Sequence, residues 1–117
     1  MFVFEPDLLF SSKIASTATK LGVAITVVTD LQGFLSMLKE NWPVGLIVDL
    51  DALGARINDL AGPVHEKCCT AVGYYSHVNA RVAEEARTVG FDVVLSRGTF
   101  VAKMAETLRK IIQERRV

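Results

Sequence analysis

Five short apolar runs alternate with five amphipathic stretches along this chain, and no other feature restricts its fold so tightly. The apolar runs are Phe2-Val3-Phe4, Val23 to Val28, Val44 to Val48, Cys69 to Tyr75 and Val93-Val94-Leu95. They are short and rich in β-branched residues, which reads as strands, the near-continuous ones buried on both faces. Between them, Leu8 to Leu21 puts Leu9, Ile14, Ala18 and Leu21 on or near one helical face, with Gly22 as a stop. Asp30 can cap a helix whose apolar positions Leu31, Phe34, Leu35 and Leu38 follow i, i+3, i+4, i+7. Leu53 to Leu60 is a weaker helix that Gly62-Pro63 should end. Asn79 can cap a helix running to about Val89, where Gly90 supplies a left-handed terminus. One last helix carries Val101, Met104, Ala105, Leu108, Ile111 and Ile112 on one face, with Lys103, Glu106, Arg109, Lys110 and Glu114 mostly opposite. Such alternation with short connections and right-handed crossovers predicts an α/β fold, (βα)5: a doubly wound, three-layer parallel sheet spanning residues 1–117 as a single domain.

Composition removes several function classes. A chain of 117 residues, half of them hydrophobic, can bury a core without disulfide or metal staples. Thirteen basic side chains balance thirteen acidic ones, so there is no electrostatic footprint for nucleic acid. The start, Met1-Phe2-Val3-Phe4-Glu5-Pro6-Asp7, lacks the basic segment and apolar core of a signal peptide, and no apolar run approaches the roughly 20 residues that span a bilayer. Cys68 and Cys69 are adjacent, where a bridge would be strained, so they read as buried thiols in a reducing compartment. A cytoplasmic protein with no membrane contact is expected.

The chemistry should centre on Asp49, which closes the third apolar run. In open α/β sheets, ligands gather beyond the carboxyl ends of the strands, and an acid there is costly to bury but well placed for metal or phosphoryl chemistry. With this order of elements, the chain resembles the receiver domains of two-component response regulators over nearly its whole length. Leu46-Ile47-Val48-Asp49-Leu50 matches the segment carrying the phosphorylated aspartate, and Glu5 stands 44 positions before Asp49, a typical separation in that family. Ser76, after Ala71-Val72-Gly73-Tyr74-Tyr75, takes the hydroxyl position, and Gly90 to Phe100 follows the fifth-strand segment almost position by position. The resemblance implies a flavodoxin-like sheet in the order 2-1-3-4-5. It also implies Asp49 as phospho-acceptor, Ser76 and Arg97 as the groups around the phosphoryl oxygens, and Mg²⁺ held by Glu5, Asp7, Asp49 and the backbone carbonyl of Asp51.

The departures carry as much information. The family's two adjacent acids are here Glu5-Pro6, with Asp7 one position later; its Lys-Pro is Arg97-Gly98; its strand-five aromatic is Val94; and a bulky His77 follows Ser76. Phosphorylating a carboxylate brings two anions together and needs a metal to neutralise the developing charge. Pro6 stands where the family's main metal-binding carboxylate would be. Arg97 keeps a permanent charge but is planar and bidentate, so it can hold phosphate or clamp Asp49 in a standing salt bridge. Gly98 in place of proline should loosen the loop. Tyr74 and Tyr75 alternate, one core and the other facing a helix or the site. His65 should be solvated in a Pro-containing loop, and Trp42-Pro43 can lie over the sheet edge.

Three readings follow. A phosphorylation-dependent receiver would take phosphate on Asp49 from a histidine kinase. A pseudo-receiver would keep the fold and partner surface and act by association alone, with phosphorelay chemistry lost. In both, the resemblance implies signal transduction rather than catalysis, and partners or a homodimer partner on the face of the fourth helix, fifth strand and final helix. The third reading is of another class: Glu5 with Asp49-Leu50-Asp51-Ala52-Leu53-Gly54 is similar to the Glu…Asp-x-Asp-x-x-Gly arrangement of Toprim domains, Mg²⁺-dependent enzymes of nucleic acid. Pro6 replaces the glycine expected after that glutamate. A flavodoxin-type cofactor site is not expected, because no Gly-rich or Ser/Thr-rich loop follows the first strand.

Overall fold

In the computed structural model, which describes residues 1–67, 70–76 and 80–113, five parallel strands form one sheet in the order β2-β1-β3-β4-β5. The strands are β1 (Phe2–Phe4), β2 (Thr26–Val28), β3 (Gly45–Asp49), β4 (Thr70–Tyr75) and β5 (Val93–Ser96). The helices are α1 (Leu8–Lys20), α2 (Leu31–Glu40), α3 (Leu50–Leu53), α4 (Ala61–Lys67), α5 (Ala80–Val89), α6 (Arg97–Ala102) and α7 (Met104–Gln113), with a 3₁₀ segment, Gly54–Leu60, between α3 and α4. The expected α/β class and the 2-1-3-4-5 order are both found.

Strand alternation sorts the core into two layers. Phe4, Leu46, Val48 and Ala71 face α2, α3 and α5, meeting Phe34, Leu38, Leu50, Val82 and Ala86. Val3, Ile47, Val72 and Tyr74 face the other way, meeting Ile14 and Ala18 of α1, Phe100 of α6, and Met104, Leu108 and Ile111 of α7. All five residues of β3 are buried, the closing Asp49 included, as expected for a central parallel strand covered on both faces. Two close approaches need the absence of a side chain. A Cβ on Gly73 would come within 2.7 Å of the buried Leu50 side chain, and one on Gly45 would collide with Ile111 Cγ2.

Several element boundaries differ from the sequence reading. β2 is ladder-paired only over Thr26–Val28, because its sole neighbour β1 offers three residues; Val23 and Ile25 are nevertheless packed against the α1–α7 layer. The segment expected as one helix from Leu53 to Leu60 is α3, a 3₁₀ turn and then α4. Gly54, with φ +54°, ends α3. Gly62-Pro63 does not end the segment: Pro63 is the third residue of α4, where its missing N–H costs no intrahelical bond. His65 is accordingly exposed on a helix rather than in a loop. Gly90 has φ +109° after α5, as expected.

The last helix is two. Ser96 Oγ accepts from Thr99 N–H and starts α6 directly after β5, and a turn at Lys103 separates it from α7. The break lets Phe100 and the Met104, Leu108 and Ile111 stripe enter the same core layer. Gly98 lies in the first turn of α6, so it does not loosen a loop. Trp42 remains largely exposed rather than packed over the sheet. Cys68, Cys69, His77, the Asn79 cap and the closing Arg115-Arg116-Val117 lie outside the described residues.

Candidate functional site

The carboxyl ends of β1, β3, β4 and β5 bring together four polar side chains over an aromatic floor. Asp49 ends β3 and caps α3: its Oδ1 accepts from the backbone N–H of Asp51 (3.1 Å) and Ala52 (3.3 Å). The side chain is 7% exposed. Glu5 follows β1 and is 1% exposed. Its backbone N–H donates to Val28 O, continuing the β1–β2 pairing. Glu5 Oε2 accepts from the Asp7 N–H at 2.9 Å, and Oε1 accepts from the Tyr74 hydroxyl at 2.5 Å.

Arg97, the first residue of α6, points back over the sheet at both acids. Its Nη2 is 3.3 Å from Asp49 Oδ2, to which it donates, and 3.7 Å from Glu5 Oε1. The guanidinium carbon lies 4.3 Å from the Phe10 ring centre and 5.4 Å from that of Tyr74, so the cation is held against aromatic faces as well. Tyr74 stacks in turn on Phe100 of α6, with ring centres 4.6 Å apart and 13° between planes. The ring stack and the Ser96 cap fix the first turn of α6, and with it the direction of Arg97.

Two buried acids share one guanidinium, and the electrostatics follow. Burial first, then the Glu5 charge, pushes the Asp49 carboxyl up to about 6 against the pull of its Ala52 hydrogen bond and of Arg97. Burial and the bond to Glu5 push the Tyr74 phenol well above the ordinary tyrosine range, so it stays a donor. Asp49 is thus an anion at neutral pH that its surroundings only partly stabilise.

The other expected residues are placed as follows. Asp7 is exposed, and its Oδ1 caps α1 by accepting from Leu9 N–H (2.9 Å) and Phe10 N–H (3.3 Å). The carboxylate after Pro6 is thus spent on capping its own helix. The side chain of Asp51 accepts from the Ser76 N–H at 2.6 Å, tying the end of β4 to the start of α3. Ser76 lines an open cavity of about 570 Å³ together with Ser96, Arg97, Gly98 and Val101. Val94, at the family's aromatic position, packs with the opposite core layer.

Tyr74 and Phe10 have larger roles at the site than the sequence reading gave them. The alternation along β4 put one tyrosine in the core and the other toward a helix or the site, and Tyr74 is the buried one. It could not say that this one reaches Glu5, 69 positions away.

Receiver domains bind Mg²⁺ at their acidic phosphorylation site. The present arrangement does not fit that ion. Mg²⁺ asks for oxygens at about 2.0–2.1 Å in an octahedron, whereas all four carboxylate oxygens of Glu5 and Asp49 already face hydrogen-bond donors. Among the described residues, no three acidic, histidine or cysteine side chains are grouped to hold a metal.

No protein-family model matches the sequence, and no curated protein matches it. Solved structures do. A response regulator from Thermotoga maritima aligns with TM-score 0.79 at 14% identity, over 97% of this chain and 96% of the other. The receiver domain of NtrX from Brucella abortus aligns with TM-score 0.79 at 13% identity, over 97% and 98%. Full-length FixJ from B. japonicum aligns with TM-score 0.82 at 16% identity, over 97% of this chain and 57% of that one. Nothing in these comparisons supports the Toprim reading. The chain has the fold of the receiver domains of response regulators.

Proposed function

We propose that this chain is an atypical receiver domain that works in signal transduction by protein–protein association, without a phosphoryl cycle at Asp49. The observation that carries this reading is the Arg97–Asp49 ion pair at 3.3 Å. One carboxylate oxygen of Asp49 is paired with a cation of the same protein, and the other caps α3. With Asp7 capping α1 and Arg97 on Asp49 Oδ2, a metal that would offset the charge of an incoming phosphoryl group has neither a third carboxylate nor a free Asp49 oxygen in the wild type.

The partner is a histidine kinase or another signalling protein. The proposed contact face is α5, β5 and the α6–α7 pair, which also serves for homodimers, and the domain acts in the cytoplasm and contacts neither nucleic acid nor membrane. No described helix is long and apolar enough to cross a bilayer.

A second reading, weak phosphorylation of Asp49, is favoured by one feature: Ser76 and Arg97 line a common cavity beside it. Intact mass after incubation with Mg²⁺ and acetyl phosphate separates the two, with Asp49→Asn as control. No adduct is expected. A gain of about 80 Da on the wild type alone would establish Asp49 as a nucleophile and overturn the proposal.

A further inference from the structure

We infer that Arg97 is the resident cation of this site, a tethered replacement for a divalent metal. The wild-type chain neither needs nor binds Mg²⁺ between Glu5 and Asp49. The inference deepens the phosphorylation-independent reading above by naming what fills the site, and it rests on geometry. Glu5 and Asp49 are nearly inaccessible to solvent, at 1% and 5% residual exposure. Two carboxylates buried side by side require a counter-charge, since an unpaired buried ion is far costlier than a paired one. Arg97 Nη2 lies within 3.7 Å of both acids.

Three features keep the guanidinium there. Ser96 starts α6 so that Arg97 is its first residue. Phe10 supports the flat face of the cation at 4.3 Å. The Tyr74–Phe100 stack joins the acid that Tyr74 binds to the helix that carries Arg97. A divalent ion entering between the acids would meet this fixed positive charge and would have to displace it. Two other acids close in sequence are committed elsewhere: Asp7 caps α1 and Asp51 takes the Ser76 N–H.

Removing the tether should therefore create the metal affinity that the wild type lacks. The experiment is Mn²⁺ titration of the ¹⁵N-labelled chain, following paramagnetic broadening of the Leu50, Asp51 and Ala52 amides, beside thermal unfolding with and without Mg²⁺. The wild type should show no saturable broadening at these amides and no Mg²⁺-dependent rise in Tm. Arg97→Gln should gain site-specific broadening at concentrations at least roughly tenfold lower than any wild-type effect, because a unit positive charge has left. Its Tm should rise with Mg²⁺, and both responses should vanish in the Arg97→Gln/Asp49→Asn double variant. Arg97→Met, which keeps the length of the stem and loses the charge, should gain the same metal response.

Saturable broadening at these amides in the wild type would overturn the inference whatever the variants do. So would a folded Arg97→Gln protein with no metal response. If Arg97→Gln folds only with Mg²⁺, that supports it; if it folds under neither condition, the wild-type and Arg97→Met titrations decide. Failure here is distinct from failure of the functional reading. Wild-type metal binding without a phosphate adduct refutes only the resident-cation inference, and an adduct without metal binding refutes only the phosphorylation-independent function.

Discussion

Asp49→Asn tests the electrostatics of the site, and its magnitude can be worked out from the structure. Burial and the Glu5 charge push the Asp49 carboxyl from an ordinary 3.8 to about 6. A carboxyl raised in this way binds its proton more tightly in the folded than in the unfolded chain. The stability it contributes is therefore present in full below the ordinary value, is lost as pH rises through about 4 to 6, and above that range the buried anion is a standing cost. At about 1.4 kcal/mol per pH unit, the cost approaches 3 kcal/mol at neutral pH. Asparagine has nearly the shape of the protonated acid and never ionises. The stability difference between Asp49→Asn and wild type should thus be nearly constant below about pH 4. Above it the variant should gain, by roughly 2–3 kcal/mol by pH 7.5.

Urea unfolding followed by far-UV circular dichroism, from about pH 4 to 8, measures this directly, with the slope on denaturant expected to be unchanged. Taking the difference between the two proteins cancels most other titrations. A pH-independent difference, or a wild type that gains on the variant as pH rises, would show that the Asp49 carboxyl is not raised by burial. It would mean that the Arg97 ion pair outweighs burial and the Glu5 repulsion together.

Two further outcomes follow from other contacts. Tyr74→Phe removes the hydroxyl that donates to Glu5 Oε1 and should cost about 1.5–3 kcal/mol in urea unfolding; in wild type, ultraviolet titration should show Tyr74 un-ionised until the protein unfolds, consistent with its raised phenol value. Gly45→Ala places a methyl against Ile111 Cγ2 and near the Thr70 carbonyl; it should lose about 1–3 kcal/mol of stability, with partial recovery in the Gly45→Ala/Ile111→Val double variant.

Much of this molecule is legible in local pattern. The β-branched runs, the i, i+3, i+4, i+7 stripe of Leu31, Phe34, Leu35 and Leu38, and the Asp30 cap are each encoded within a dozen residues. Short-range sterics and one-sided burial suffice to read them. Alternation of strand and helix then leaves few topologies, and the observed sheet is among them. Asp49 at the end of the central strand was visible for the same reason, since a charged residue closing an apolar run marks the strand's carboxyl end.

The boundaries that failed are those set by partners rather than by the segment itself. β2 is limited by the three residues of β1. The break at Lys103 serves core packing that Phe100 and Met104 share with α1 and β4. Pro63 continues a helix because it falls where no N–H is needed. Local pattern was therefore enough for the sheet and for Asp49 at the carboxyl end of its central strand. For Arg97 the residues left two roles open, a phosphate ligand or a clamp on Asp49, and the folded structure shows the clamp. Asp7 was one backbone turn from the site and caps α1 instead, while Arg97, 48 positions away, sits on Asp49. Side-chain pairing across a sheet depends on register, twist and the direction of a helix's first turn, and none of these is encoded in the spacing of the residues that meet.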